Sequence, residues 1–494
     1  MKNAKRHLSL LLALFLLCSA FVACAAEKPS VTTEATTSSQ GENPVSETTA
    51  DPLAYPGLPD ETYNGHEFVV LMTNLNSDPT IIRDFSEPAG GTVLDEALYR
   101  RNMAAMARLD IVITGIEDYK STNSGVSLIR QANTSGDSNY DMGIISTYDC
   151  GTLTTSGDLR DLRTYGYLDL DREWWDQNIN RDITVNDRLY FTTGDISLVT
   201  TVAMYNMVFN KTMFREKGWD MPYQDVENGT WTFDKMKSYI TAVSRDLNAD
   251  DKMDSNDLYG MVYIHSTVVA ALNMSGERFA QIGEDGKVEL TLGTERAENA
   301  IVGFIELTQD REHVYNGQTA TGGLSATGMF AEGHCLFRLG EHVMFPYYRD
   351  TQLDYGILPL PKLDEAQSRY YTPFGGWDAA FVCVPNSTEN DERTSAIMEY
   401  LAYISRQMVT PAYYTKTLVG TYIQDEESHN MITIEMENRI FDIGYIFNIG
   451  GMKDMVENLS KAYSTSFSSA WRSYQRSAER SIQKLNDALF KPEQ

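Results

Sequence analysis

Short apolar, β-favouring runs alternate with helical spacing through the first half of the chain, and that alternation is the strongest signal the sequence carries. Glu67 to Met72, Asp110 to Thr114 and Asp141 to Ser146 each read as a strand, while Leu94, Leu98, Ala105 and Leu109 fall on one face of a helix. Strands alternating with helices imply βαβ units and a mostly parallel sheet, in which ligands meet the loops at the carboxyl ends of strands. Thr73, Asn74, Thr147 and Tyr148 stand at those ends and are candidate contacts. Further on, a turn at Asn186-Asp187 precedes the run Leu189-Tyr190-Phe191, Gly194-Asp195 break it, and a second run ends at Tyr205, Met207, Val208 and Phe209. Spacing alone reads this as a hairpin at a sheet edge or as a passage between two bodies. Met236, Tyr239, Ile240 and Val243 repeat as an amphipathic helix behind the cap Thr232, Val262 to His265 reads as the next strand, and Ala297 to Leu307 and Ser395 to Met408 as helices. Near the end Trp471, Tyr474, Ala478, Ile482 and Leu485 keep helical spacing, and no internal repeat is present.

The front of the chain departs from this pattern. Lys2, Lys5 and Arg6 precede the apolar run Leu8 to Leu17, which reads as a secretory signal and is short for a membrane anchor. Phe21-Val22-Ala23-Cys24 resembles the bacterial lipobox, with Phe21 in place of the usual leucine, so Cys24 is the expected lipidation site. Residues 24–56, rich in Thr, Ser, Glu, Ala and Pro, cannot bury enough apolar surface to offset their ordering entropy and read as a tether. A net charge of -28 excludes a nucleic-acid partner, which needs a basic face. Beyond Cys24 only Cys150, Cys335 and Cys383 remain, too few for a disulfide scaffold.

Three stretches carry candidate chemistry. Asp246, Asn248, Asp250, Lys252, Asp254 and Asp257 match a calcium loop at alternate positions, Lys252 through its carbonyl, although Asp251 replaces the usual glycine and Asp257 the usual glutamate. A structural calcium ion or a solvated acidic turn both satisfy this pattern, and no other cofactor is expected. In Trp174-Trp175 adjacent side chains of an extended segment point opposite ways, so one indole is expected to stay available; Trp175 is the candidate platform for the apolar face of a sugar ring, the alternative being that both pack in the core. In Pro373 to Asp378, Gly375-Gly376 permit close backbone approach and Trp377-Asp378 set an aromatic face beside a hydroxyl acceptor. Tyr413 and Tyr414 are further ring platforms. His334, Cys335 and His342 lack CxxC or HExxH spacing, and their expected roles are structural. No P-loop, GxSxG elbow or HExxH helix is present, so the chain is expected not to be an enzyme; a surface glycosidase would need a carboxylate pair at a defined separation, which so many acids cannot single out.

The order of five motifs resembles the extracellular solute-binding proteins of family 1, the maltose-binding type that serves ABC importers. Asn186-Asp187-Arg188-Leu189-Tyr190 followed by Phe209-Asn210-Lys211 is similar to the family's hinge crossing, with Asp187 for its turn glycine and Thr193 for its proline. Thr230-Trp231 resembles its helix start, Tyr355 to Pro359 with Pro361-Lys362 its next strand, and Gly375-Gly376-Trp377 with Phe381 to Pro385 its return crossing. The resemblance implies a two-lobed α/β fold with a hinge, residues 57–186 and 330–378 forming lobe 1 and residues 187–329 and 379–494 forming lobe 2. It implies a monomeric receptor that clasps a carbohydrate, the expected contacts being Thr73, Thr147, Tyr148, Trp175, Asp195, His265, Glu341, Trp377 and Asp378. It further implies a membrane permease as partner and a place at the outer face of the bacterial membrane, held by lipid at Cys24. A surface glycosidase and a glycan-binding lipoprotein without a transport role are the alternatives.

Overall fold

The computed structural model describes Tyr55 and residues 57–74, 82–86, 91–119, 123–318, 323–349, 351–423 and 425–490. The export segment, Cys24 and all of the tether but Tyr55 lie outside the described residues. Tyr55 itself packs edge-on against Trp174 and tilted against Tyr403, with ring centroids 5.4 and 4.9 Å apart, so this residue of the expected tether packs on the folded body.

The strands in chain order are β1 (His66–Met72), β2 (Ile111–Glu117), β3 (Met142–Ser146), β4 (Phe191–Thr192), β5 (Tyr205–Asn210), β6 (Tyr259–Tyr263), β7 (Ala280–Ile282), β8 (Val288–Leu290), β9 (Val314–Asn316), β10 (Cys335–Glu341), β11 (Tyr355–Leu358) and β12 (Ala380–Cys383). They form two five-stranded sheets, ordered β2-β1-β3-β12-β4 and β11-β5-β10-β6-β9, with β7 and β8 as a separate hairpin. In the first sheet β1, β2 and β3 run parallel while β12 runs antiparallel to β3 and β4. In the second, β6, β9 and β10 run parallel and β5 is antiparallel to β10 and β11. The central strands β3, β5 and β10 are buried along their whole length, as strands covered on both faces must be.

Local sequence accounts for the helices that cover these sheets. Thr92 starts the helix Val93–Leu109 through a reciprocal capping box with Asp95, and the four residues spaced for one face, Leu94, Leu98, Ala105 and Leu109, are all buried. Thr232 caps Phe233–Ile240 by accepting from the Lys235 amide, and Trp231 before it is fully buried, its indole donating to the Pro359 carbonyl at 2.9 Å. The C-terminal helix Phe467–Leu489 buries Ala478, Ile482 and Leu485 of the five positions its spacing marks, while Trp471 and Tyr474 are half-buried. Among the described residues no helix is long and apolar enough to cross a membrane.

The division of the chain between the sheets differs from the expected one. The resemblance places residues 330–378 in the first lobe, yet β10 and β11 both pair with β5 in the second sheet, from Phe337↔Phe209 to Glu341↔Tyr205 and from Tyr355↔Asn210 to Leu358↔Met207. Conversely β12 lies in the first sheet, paired with β3 from Ala380↔Ser146 to Cys383↔Gly143. Fully buried strands of the two sheets share one composition, so pattern identifies a strand without identifying its neighbour. The chain thus passes from the first sheet to the second between β4 and β5 and returns between β11 and β12.

The turn at Asn186-Asp187 is the tight hairpin the sequence implied. Val185 and Arg188 exchange both backbone hydrogen bonds at 3.0 Å, and Asn186 and Asp187 take φ of 52° and 59°. Both central residues are therefore left-handed, the conformation for which Asn-Gly is the favoured pair. Asp187→Gly is expected to stabilise the fold by about 0.5 kcal/mol, measured by urea unfolding, because glycine relieves the Cβ strain at some cost in chain entropy.

Candidate functional site

The carboxyl ends of β1, β3 and β10 and the two crossing segments meet at one place. Thr73 and Asn74 follow β1, Thr147 and Tyr148 follow β3, His265 and Ser266 lie just beyond β6, Glu341 ends β10, and Trp377 and Asp378 immediately precede β12. The crossings are joined to each other as a short antiparallel ribbon. Tyr205 N donates to Pro373 O at 2.9 Å, Gly375 N donates to Ala203 O at 2.8 Å, and Met204 and Phe374 form the bridge between them.

Side chains from the first sheet and from the helix Ile443–Ile446 are tied to that ribbon. The Asn74 amide donates to the Asp378 carbonyl at 2.9 Å, and Thr147 Oγ1 to the Ala379 carbonyl at 3.2 Å. Gly376 N donates to the Tyr445 hydroxyl at 3.1 Å, and that hydroxyl is joined to the hydroxyl of Tyr148 at 3.2 Å. The two glycines are needed for closeness: a Cβ on Gly375 would stand 2.9 Å from Glu341 Oε1, and one on Gly376 would stand 2.6 Å from the Tyr445 hydroxyl. Gly375, Gly376 and Asp378 are buried, whereas the indole of Trp377 between them is 55% exposed. One large aromatic face is thereby held out from a backbone fixed on both sides.

Electrostatics at the ribbon are set by burial. Glu341, 5% exposed, has its carboxyl pushed up to about 7, first by desolvation and then by the charge of Asp378, against the lowering effects of Arg338 and of a hydrogen bond from Tyr205. A folded-state pKa above the unfolded value means that the fold binds this proton more tightly than the open chain does. The associated stability is complete below pH 4.5 and is lost as pH rises towards 7. Glu341→Gln is expected to flatten the fall of melting temperature with pH across that window, read by calorimetry against wild type. Tyr148 is faced by Lys453, whose ammonium lies 4.9 Å over the ring and also pairs with Asp454 at 3.3 Å. Beside β1 and β3 a small recess, with room for about one water, is lined by Thr73, Asn74, Asp84, Tyr119, Val199 and Ala380 among others. The Thr73 hydroxyl at its edge is buried and meets no acceptor.

Several expected contacts lie elsewhere. Trp175 is 1% exposed, and its indole donates to Glu399 Oε2 at 2.9 Å while that of Trp174 donates to Oε1 at 3.0 Å. Residues around them form turns rather than a strand, so alternation does not apply, and both rings turn inward on one carboxylate. Asp195 accepts from Thr410 Oγ1 at 2.7 Å and pairs with Arg406 at 3.4 Å, and burial pushes its carboxyl up to about 6. It braces the crossing against the helix Asp391–Pro411. His265 is 7% exposed, bonds Asn316 at 2.7 Å and lies edge-on to Tyr463; burial, and then Lys461, hold its imidazole below the usual range. His342 is buried against Glu435 at 2.8 Å, and Tyr413 is buried edge-on to Tyr414, so neither serves as an open platform.

The acidic loop is braced by its own amides. Asp246 accepts from Ala249 N and Asp251 N, Asn248 from Asp250 N, Asp250 from Lys252 N, Asp254 from Asn256 N, and Asp257 from Leu247 N and Asp254 N. Among the described residues no group of three or more His, Cys, Asp or Glu side chains gathers as a metal site. Asp257 is fully buried, which fits a bracing role better than a solvated turn. Sequence reasoning missed Tyr205, Tyr445 and Lys453, which stand in no motif and reach the site only through packing.

Comparison with known proteins agrees with this geometry at the level of fold. No family model matches the chain, and no curated protein does. Solved structures do. The galacto-N-biose/lacto-N-biose I-binding protein of an ABC transporter from Bifidobacterium longum, in complex with lacto-N-biose, matches with a TM-score of 0.57 at 10% identity over 88% of this chain and 100% of its own. The cyclic α-maltosyl-1,6-maltose binding protein from Arthrobacter globiformis matches with a TM-score of 0.54 at 15% identity over 86% of this chain and 99% of its own. An ABC substrate-binding protein from Listeria monocytogenes in complex with cycloalternan matches with a TM-score of 0.53 at 12% identity over 86% and 99%. The chain has the two-lobed α/β fold of these binding proteins.

Proposed function

We propose that this chain is the extracytoplasmic substrate-binding component of an ABC importer, and that it takes up a carbohydrate between its two sheets without altering it. The observation that carries the reading is Trp377, an exposed indole fixed beside the buried Asp378 on the segment that returns from one sheet to the other. A sugar's apolar C–H face stacks on such a ring while nearby hydroxyls and amides take its own hydroxyls. Tyr148, Asn74 and Glu341 converge on the same ribbon from the two sheets, with Lys453 over the Tyr148 ring, and the similar structures are sugar-binding proteins, two of them of ABC transporters. Because the crossings hydrogen-bond at one short ribbon, rotation about it would bring the strand ends together on a ligand and shift an open ensemble to a closed one. The closed form would dock on a membrane permease, and acyl chains on Cys24 with the segment behind it would keep the receptor near the membrane surface.

One observation favours a second reading, a surface glycosidase. Glu341 has a raised pKa beside Asp378, the kind of acid and carboxylate pair that cleaves glycosides. A thermal-shift screen of mono- and oligosaccharides, with analysis of the recovered sugar, separates the two. The receptor reading expects a concentration-dependent rise in melting temperature with the sugar recovered intact; cleaved sugar establishes the glycosidase, and no shift with any sugar overturns carbohydrate binding.

A further inference from the structure

Three cysteines of the described residues are buried and unbridged, and two of them share one place. Cys150 lies on the helix Thr147–Ser156, and Cys383 ends β12. In the antiparallel pairing of β12 with β3, Phe381 faces Ile145 and Cys383 faces Gly143. The Cys150 thiol donates to the Ile145 carbonyl at 3.7 Å and is also bonded by the Phe381 backbone, so it sits over that residue pair. Residues two apart on a strand share a face, which sets Cys383 next along the same face. Gly143 makes room for its sulfur, since a Cβ there would lie 3.0 Å from Cys383 Sγ. The two side chains interact directly, and both are 0% exposed. Cys335 belongs to the second sheet and has no such neighbour.

We propose that Cys150 and Cys383 form a disulfide when the chain folds in an oxidising medium, tying the helix Thr147–Ser156 to β12. The step is thiol–disulfide exchange with a low-molecular-weight disulfide. One cysteine thiolate attacks that disulfide and releases one small thiol; the second cysteine then attacks the mixed disulfide and releases the other. The protein pair loses two protons and two electrons, and the small disulfide is reduced to two thiols. Timing follows from burial. Desolvation holds the Cys150 thiol well above its ordinary pKa, so the folded chain has almost no thiolate to attack with, and the bond forms before the helix closes on the strand. Both tied elements carry residues of the candidate site, Thr147 and Tyr148 at the start of the helix and Asp378 just ahead of the strand.

The test is refolding of the full chain from denaturant in oxidised and reduced glutathione, and separately in dithiothreitol, followed by denaturing alkylation and peptide mass analysis. The expected result in glutathione is one cross-linked pair of peptides holding Cys150 and Cys383, lighter by two hydrogens than their sum, with Cys335 fully alkylated. Its melting temperature should stand several degrees above that of the dithiothreitol sample, because the cross-link restricts the unfolded chain over a very long loop. Cys383→Ala and Cys150→Ala should each give the same melting temperature in both media. Alkylation of both Cys150 and Cys383 after oxidative refolding, or a link from either of them to another cysteine, overturns the proposal. The mass readout needs only the wild-type chain, so a variant that fails to fold does not blunt it.

Discussion

Trp377→Ala is expected to weaken carbohydrate binding about 30-fold, with no more than about 0.5 kcal/mol change in unfolding free energy. An aromatic anchor at the centre of a binding site commonly carries about 2 kcal/mol, and every 1.4 kcal/mol is tenfold in Kd. Stability is expected to hold because the ring is 55% exposed and removing an exposed side chain leaves no cavity. The surrounding backbone is fixed independently of the indole, by Gly375 on Ala203, Gly376 on Tyr445 and the Asp378 carbonyl under Asn74. Titration calorimetry with the best sugar from the thermal screen, run beside urea unfolding, reads both quantities on one preparation. Trp377→Phe should restore part of the affinity, since a smaller ring retains a stacking face. Equal affinity in wild type and Trp377→Ala would remove this residue from the site, while a large fall in stability would show that the ring packs in solution.

Trp377 and Trp175 mark the boundary of what could be read from the chain. Both stand in the sequence as aromatics among acids. Gly375-Gly376 ahead of Trp377 signalled a backbone approached closely from outside, and the near contacts of Glu341 and Tyr445 with those glycines are that approach. Ahead of Trp175 there was no comparable signal, and the partner that takes its indole, Glu399, lies 224 residues further along. Strand ends were legible for the same local reason: Thr73, Thr147 and Glu341 stand at the carboxyl ends of buried runs, and those runs are β1, β3 and β10. Pairing was not legible. β10 and β12 are both continuously buried, and nothing within them says that one joins β5 and the other β3. The acidic loop is legible only in part, because alternate Asp and Asn side chains serve equally to cap successive amides and to ligate a cation, and only their arrangement in space separates the two uses.

Glu399→Ala is expected to cost about 3–5 kcal/mol of stability. Glu399 is fully buried on the helix Asp391–Pro411, where one carboxylate oxygen accepts the Trp174 indole at 3.0 Å and a weaker contact from the Tyr55 hydroxyl at 3.3 Å. Its other oxygen accepts the Trp175 indole at 2.9 Å and the Asp169 amide at 3.3 Å. Truncation leaves two buried indole donors with no acceptor, each costing about 1–3 kcal/mol, and opens a void beside two large rings. Glu399→Gln keeps an acceptor for one indole and turns its amide donors on the other, so a loss of about 1–3 kcal/mol is expected. The two variants also separate packing from titration. Burial pushes the Glu399 carboxyl up to about 7, with the two indoles and the Asp169 amide acting against it, so the fold holds a proton here that the unfolded chain releases near 4.5. Stability tied to that proton is complete below pH 4.5 and declines as pH rises through 7; glutamine, which does not titrate, should remove this part of the slope. Urea unfolding of both variants and wild type at pH 4.5, 6 and 8 reads both effects, and an alanine variant as stable as wild type would mean that the tryptophan pair is held by packing alone.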